Sequence, residues 1–429
     1  MQIEVAQCST SVAGLTRCGA MKGAVLQSAA PHQLQLSCYT MKITQLTVEG
    51  FRSLRQVCWQ PGDLNIIIGP NGTGKTNVLR LLELMVASAQ GKLGASVQAA
   101  GGMDPLVWDG VAIDIRCVLE TSQVDSLAGQ QSYSLELRRL GNGSSYRIEK
   151  EHLSVAKSGL APSDLLLRHA RSASIFDLSC QQLATPEEYL QDEESLLAIA
   201  SGPFAQNRMI PAFQKALSAI AVYGNLNTRA DAPIRQTSIT RMEHRVAADG
   251  HNLISVLHTL YTGDRQFKAD IHSAMRAAFG EDFEELVFPP AADQRIQLRI
   301  RWKSLRREQS AAELSDGTLC FLYLLAILAS PSPAPIIAID EPETGLHPSM
   351  MPVIAEFAID CAQRSQIIFT THSPQLLNAF GAVRPTTTVA KWQNGETTLS
   401  TIRDADLAYW LKEYAFGTLF QSGELEQMV

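Results

Sequence analysis

The chain has 429 residues, 45% of them hydrophobic, and a formal net charge of −7. That is enough apolar material for a full core, and room for either several average domains or one bilobed unit. The acidic balance excludes a molecule held to nucleic acid by its overall charge, so any such contact needs a local basic patch.

Residues 1–40 are small, polar and low in charge, with no apolar stretch of the kind a secretory signal needs. They read as an extension without structure of its own or an upstream start, the other reading being a partner-binding tail. Ile43 to Val48 alternates apolar and polar residues, as a half-buried strand does. Leu64 to Ile68 is an apolar strand running into Gly69-Pro70-Asn71-Gly72-Thr73-Gly74-Lys75-Thr76, which matches G-x-x-x-x-G-K-[ST]; a helix is expected from Asn77 to Val86. Strand, loop and helix in that order are what a phosphate cradle requires. The glycines let backbone N–H groups converge at a helix N-terminus that already favours anions. Lys75 is then placed for the β/γ-phosphates, and the Thr76 hydroxyl for Mg²⁺.

Strands are expected over Val111–Glu120, Tyr133–Leu140 and Tyr146–Val155, with Gly141-Asn142-Gly143 as the turn between the last two. Residues 160–285 read as mostly helical, broken near Gly202-Pro203, Asp231-Ala232-Pro233 and Asp249-Gly250. No heptad persists there, which excludes a long coiled-coil arm. His244, His251 and His258 recur every seven residues, but Asp249-Gly250 interrupts any helix that would carry all three. No metal is assigned to them. Arg295 to Lys303 alternates strictly, with Arg295, Arg299, Arg301 and Lys303 on one face and Ile296, Leu298, Ile300 and Trp302 on the other. Two readings stand: a strand with a solvated outer face, or a surface that tracks a DNA or RNA backbone.

Glu313-Leu314-Ser315-Asp316-Gly317-Thr318 opens an apolar helix whose run, Leu319 to Ala329, is too short to span a bilayer. Ile336 to Ile339 is a strand of the kind buried on both faces of a parallel sheet. It ends in Asp340-Glu341-Pro342-Glu343, at the edge where open α/β sheets place their ligands. Gln366 to Thr370 is a further buried strand, followed by Thr371-His372-Ser373-Pro374. The eight cysteines include no C-x-x-C pair. With no secretory signal, that points to reduced thiols and a cytoplasmic setting.

The order of P-loop, long insertion, signature, acidic strand and following histidine resembles the ABC-type ATPases of the RecF/SMC/OLD branch. The wording D-E-P-E-T-G-L-H-P and T-T-H-S-P is most similar to the AAA-type core of RecF-like predicted ATPases and OLD proteins. This resemblance implies an α/β P-loop NTPase head: a RecA-like parallel core sheet, an antiparallel β-layer and a short helical lobe carrying the signature. On that plan residues 41–158 and 318–429 form the ATP-binding core with its β-layer, and 159–317 the helical and signature lobe. ATP and Mg²⁺ are the implied cofactors. Gly69, Pro70, Asn71, Gly72, Thr73, Gly74, Lys75, Thr76 and Asn77 would form the cradle, with Thr76 and Asp340 on the metal. Glu341 would be the general base and His372 the γ-phosphate sensor; Ser315 and Gly317 would complete the site from a second protomer. The turn Gly50-Phe51-Arg52-Ser53 is similar to one near the nucleotide in this branch, making Arg52 a phosphate or base contact unless it is a surface arginine. The Q-loop glutamine is not placed by any motif; Gln181, in a poorly patterned region, is a candidate.

Two departures stand out. Asp316 and Thr318 occupy places where the LSGGQ-type pattern has Gly and Gln, and His347 stands where many such proteins have an Asp. The implied function is an ATP-dependent homodimer acting in DNA maintenance or phage defence, with no membrane partner. The alternative is a regulatory ATPase whose output is a separately encoded effector such as a nuclease. The residues after His372, Asp404 and Asp406 among them, are too few for the Toprim nuclease that OLD proteins carry there.

Overall fold

The alternating stretch after Met41 folds as β1 (Ile43–Phe51) and turns through Arg52–Ser53 into β2 (Leu54–Trp59). In the computed structural model, residues 41–122, 129–141, 144–156, 162–177, 182–184, 191–201, 208–402 and 416–427 are described. The expectations for residues 1–40, the Asn142-Gly143 turn tip, Gln181 and the Asp404/Asp406 pair lie outside them. β3 (Leu64–Ile68) is buried at every position and leads into the P-loop and α1 (Lys75–Ala89), followed by α2 (Leu93–Ala99). β4 (Asp114–Thr121), β5 (Gln130–Arg139) and β6 (Tyr146–Ala156) join β1 in an antiparallel layer.

That layer extends further than composition suggests. β7 (Ser163–His169), β8 (Ser172–Asp177) and β9 (Gln182–Ala184) continue it, in the order β2-β1-β4-β5-β6-β7-β8-β9. The helical reading of 160–285 therefore fails at its start. These short stretches have no strong period of their own, and the free edge of β6 offers the backbone partners that make them strands.

Helices come later, as α3 (Leu196–Ile199) and α4 (Met209–Ser218), then α5 (Leu253–Gly263) and α6 (Arg265–Phe279) after β10 (Ala221–Tyr223) and β11 (Ser238–Ile239). Among the described residues no helix exceeds the 15 residues of α1 and α6. β12 (Phe283–Val287), β13 (Pro290–Ala291), β14 (Arg295–Ile296), β15 (Arg299–Trp302) and β16 (Gln309–Ser310) form two small sheets, β11-β14-β13 and β12-β15-β16. The basic stretch 295–303 is thus two short strands in different sheets. The chain shifts partner at Gln297, whose N–H donates to Pro289 O at 3.1 Å. Its apolar residues Ile296, Leu298 and Ile300 are buried as the alternation requires.

The chain closes with α7 (Asp316–Leu328), β17 (Ile336–Asp340), α8 (Met351–Cys361), β18 (Gln366–Thr371), α9 (Pro374–Ala379), β19 (Thr386–Gln393), β20 (Glu396–Thr401), α10 (Phe416–Gln421) and α11 (Glu424–Gln427). The core sheet runs β10-β17-β18-β3-β19-β20, parallel except for β20. Its strands feed two apolar clusters. Leu64, Ile66, Ile68, Ile337, Ile339, Ile367 and Phe369 pack with α7 and α8. Ile67, Ile336, Ala338 and Ile368 pack on the other face with α1 and the antiparallel layer. Burial on both faces explains why these strands read as continuous apolar runs. Because β18 lies between β3 and β17, the three motif-bearing strand ends stand side by side.

Candidate active site

The P-loop is shaped by its glycines. Gly74 has φ +88, and a Cβ there would lie 2.1 Å from Thr397 Oγ1 and 2.5 Å from Ser53 Oγ. Both hydroxyls belong to one scaffold: Thr397 Oγ1 lies 2.8 Å from Thr73 O and 2.6 Å from Ser53 Oγ, and Asn77 Nδ2 donates to Ser53 Oγ at 2.7 Å. The β1–β2 turn and the β19–β20 hairpin therefore hold the loop from outside. Lys75 is 5% exposed and its Nζ donates to Gly69 O at 2.7 Å and Pro70 O at 3.0 Å. Burial holds its ammonium pKa below the usual lysine range, opposed by the nearby Glu341, Asp340 and Glu343 carboxylates.

Opposite the loop, Thr76 Oγ1 lies 3.0 and 3.2 Å from the two carboxylate oxygens of Asp340, and Thr370 Oγ1 donates to Asp340 Oδ1. The next residue, Glu341, has φ +47, a left-handed backbone that a non-glycine residue adopts only at a cost. Its N–H is held by Thr370 O and Oγ1, each at 3.1 Å. This kink aims its side chain at the end of β18, where Glu341 Oε1 is 2.9 Å from His372 Nδ1. Glu343 stands behind the pair, only 7% exposed. Its Oε1 accepts from Thr371 Oγ1 at 2.5 Å and from His372 N–H at 3.3 Å, whereas Oε2 is buried without a partner. Burial pushes the Glu343 carboxyl up, against the pull of those two hydrogen bonds.

The structure thus brings together Gly69–Thr76, Asp340, Glu341 and His372 within one protomer. Sequence reasoning missed Ser53, Thr370, Glu343 and Thr397. Glu343 was visible inside the acidic motif; Thr397 carried no local signal. Arg52 sits in the turn that abuts the P-loop, also at positive φ (+48), with its N–H on Leu106 O at 2.7 Å and a buried, unpartnered Nε. Burial, followed by the Arg80 charge, lowers its pKa, with Glu83 opposing. Ser315 caps α7, its Oγ accepting from Thr318 N–H at 3.1 Å. Gly317 packs so closely that a Cβ there would meet Gly345 O at 2.7 Å, which joins the signature to the loop after the acidic strand.

The remaining candidates do not converge on this site. Arg301 lies between Glu285 and Glu308, Lys303 is 3.6 Å from Glu281, and Arg299 donates to Gln297 Oε1. Arg295 donates to Thr237 O. His251 pairs with Asp249 at 2.6 Å, His258 packs edge-on against Phe288, and His244 is exposed. Among the described residues no helix is long and apolar enough to cross a membrane.

The fold is that of an α/β P-loop NTPase head of the ABC type. Residues 41–138 match the family model described as an AAA ATPase domain, and residues 181–378 match the one described as "AAA domain, putative AbiEii toxin, Type IV TA system". Similar solved structures include the SmcHead bound to the C-winged helix domain of ScpA, at 13% identity and TM-score 0.53, covering 86% of this chain and 99% of that one. Another is the Smc head domain with an extended coiled coil bound to the C-terminal domain of ScpA derived from Pyrococcus furiosus, at 11% identity and TM-score 0.50, covering 87% and 99%. At these identities the likeness is one of fold. No curated protein matches the chain.

Proposed function

We propose that the chain binds ATP with Mg²⁺ and hydrolyses it slowly as an ATP-dependent homodimer. The observation that carries this is the row of three adjacent strand ends. Lys75 and Thr76 close one side, Asp340 with Thr370 the middle, and the Glu341–His372 pair the other. The Thr76 hydroxyl and Asp340 carboxylate are hard oxygen donors already within 3.2 Å of each other, the donor set that suits Mg²⁺. When bound, that ion neutralises charge on the phosphate oxygens. The chain does the rest by position and charge. Lys75 and the backbone N–H groups of the loop from Asn71 to Asn77 hold phosphate oxygens, with Gly69 and Pro70 shaping its entry, and Arg52 adds a cation from the rim. Glu341 orients the attacking water and takes its proton. His372, fixed against Glu341, reads the γ-phosphate. Ser315 and Gly317 close the partner's site at the N-terminus of α7.

For the output, a separately encoded effector protein is the reading the charges favour over direct DNA binding, since the basic strand residues already have carboxylate or carbonyl partners. The two SMC heads were solved with pieces of the protein ScpA, which fits a head that works through protein partners. A role in DNA maintenance or phage defence remains the wider setting of either output. The test is a pair of variants. Lys75→Ala abolishes ATP binding in calorimetry, whereas Glu341→Gln binds ATP as tightly as wild type but loses about 10²–10³-fold in turnover. Equal turnover in Glu341→Gln and wild type would remove Glu341 from its role.

A further inference from the structure

The signature departs from the LSGGQ-type pattern by placing a carboxylate, Asp316, at the first residue of α7, where an incoming phosphate would otherwise find only N–H dipoles. Asp316 is 65% exposed at its side chain, so it would meet the partner's nucleotide as a like charge. It is not alone. Arg235, at the end of a short 3₁₀ turn (Pro233–Arg235) far upstream, places Nη2 2.5 Å from Asp316 Oδ1. The same guanidinium takes the carbonyls of the signature approach: Nη1 lies 2.7 Å from Leu314 O, 3.2 Å from Ala311 O and 3.3 Å from Ala312 O. Nε is tied back to Thr228 O at 2.7 Å. The Arg235 side chain is only 9% exposed. A planar fork can meet all these acceptors at once, the two Nη1 hydrogens being shared among three carbonyls; an ammonium with three donors cannot.

We propose that Arg235 is the positioning residue of the signature motif, cancelling the charge of Asp316 so that the N-terminus of α7 accepts the γ-phosphate of a nucleotide bound to a second copy of this chain. The departure at Asp316 is thereby compensated within the chain, by a residue that no pattern around the signature would reveal. This inference rests on the ATP-dependent dimer proposed above.

The experiment uses the full chain in the Glu341→Gln background, with dimerisation followed by analytical ultracentrifugation as ATP is raised. ATP affinity under monomeric conditions and thermal stability are measured alongside. Arg235→Gln is expected to bind ATP as its parent does but to need at least tenfold more ATP to dimerise; with Glu341 restored, turnover falls by about 10²-fold, the scale of a misplaced catalytic part. Adding Asp316→Asn to Arg235→Gln removes the exposed charge and is expected to recover most of the dimerisation, a coupling that a double-mutant cycle isolates. An Arg235→Gln protein that dimerises at the parental ATP concentration overturns the inference. So does a double variant as defective as Arg235→Gln, since the carbonyl contacts alone would then account for the loss. A parent protein that binds ATP without dimerising ends the dimer reading itself, whatever Arg235 does.

Discussion

Two regions of this chain look equally charged in sequence, and the structure treats them in opposite ways. At the ends of β3, β18 and β17, Lys75, Asp340, Glu341, Glu343 and His372 converge, and the Glu343 Oε2 is left buried without a partner. Along Arg295 to Lys303 the charges stay apart, and each has a local answer: Arg301 has two carboxylates, Lys303 has one, and Arg295 and Arg299 have oxygen acceptors. Density of charge is therefore a poor guide to function. What separates the regions is that one concentrates charge that its own chain does not fully satisfy, held by strained backbone at Glu341.

The sharpest way to break this contrast is to remove the central carboxylate. Asp340→Asn leaves Thr76 and Thr370 with a neutral partner and removes the carboxylate proposed to hold Mg²⁺. Mg²⁺-dependent turnover is expected to fall by about 10²–10³-fold, the usual scale for removing one preorganised electrostatic group. Steady-state ATPase assays over a Mg²⁺ series measure it, and a variant with wild-type turnover at every Mg²⁺ concentration would mean that charge at this edge is as idle as along the basic strands.

A smaller effect tests the scaffold. Gly74→Ala forces a Cβ into Thr397 Oγ1 and Ser53 Oγ at positive φ. The left-handed backbone alone costs about 1–2 kcal/mol, and the collision adds to it. The thermal midpoint is expected to drop, and Thr397→Ala in the same protein to recover part of the loss. No recovery would show that the hydroxyl scaffold around the loop is not what excludes a side chain.

The legibility of the two regions differs for a physical reason. The P-loop, Asp340–Glu341 and His372 could be read because each lies where a local constraint writes itself into sequence: glycine at positive φ, an apolar strand ending in carboxylates, a strand followed by proline. Thr397 could not, since it meets Thr73 across 324 residues of chain and Ser53 across 344, and the part Ser53 plays shows only through that contact and the one with Asn77. Strand order is equally non-local, which is why β10, a three-residue strand beside β17, was lost inside a region read as helical. In Arg295–Lys303 the alternation correctly placed Ile296, Leu298 and Ile300 inside. Period two fixes which face a residue takes, not which neighbour its backbone joins, so the change of sheet at Gln297 left no trace.

Glu343 offers a subtler test, through pH. Its folded pKa is raised by burial, so the folded chain holds a proton that the unfolded chain has released. Stability from this group is complete below the unfolded carboxyl value, about 4.3, and is lost as pH rises through the raised folded value. Glu343→Gln removes the ionisation. The variant's thermal midpoint relative to wild type is therefore expected to improve between pH 5 and pH 8, by roughly a few degrees at most. A difference that is flat with pH would show that the hydrogen bonds from Thr371 and His372 balance the burial, and one that improves toward acid would show that they outweigh it.

The smallest expected effect belongs to the basic strands, and it decides between the two outputs. If Arg299 and Arg301 tracked a DNA backbone, replacing both with Gln would flatten the salt dependence of binding by about 0.9 for each lost phosphate contact. Arg301, however, would have to leave Glu285 and Glu308 to reach a phosphate, and carboxylates this close repel the same backbone that the arginine would attract. Fluorescence anisotropy with the Glu341→Gln protein and ATP, over a salt series on duplex DNA, is therefore expected to give the same curve for the Arg299→Gln/Arg301→Gln variant as for its parent. Turnover should also be unchanged, since neither residue reaches the strand ends. A parent that binds DNA with a steep salt slope, flattened by a unit or more in the variant, would return the basic strands to function and weaken the case for a separate effector.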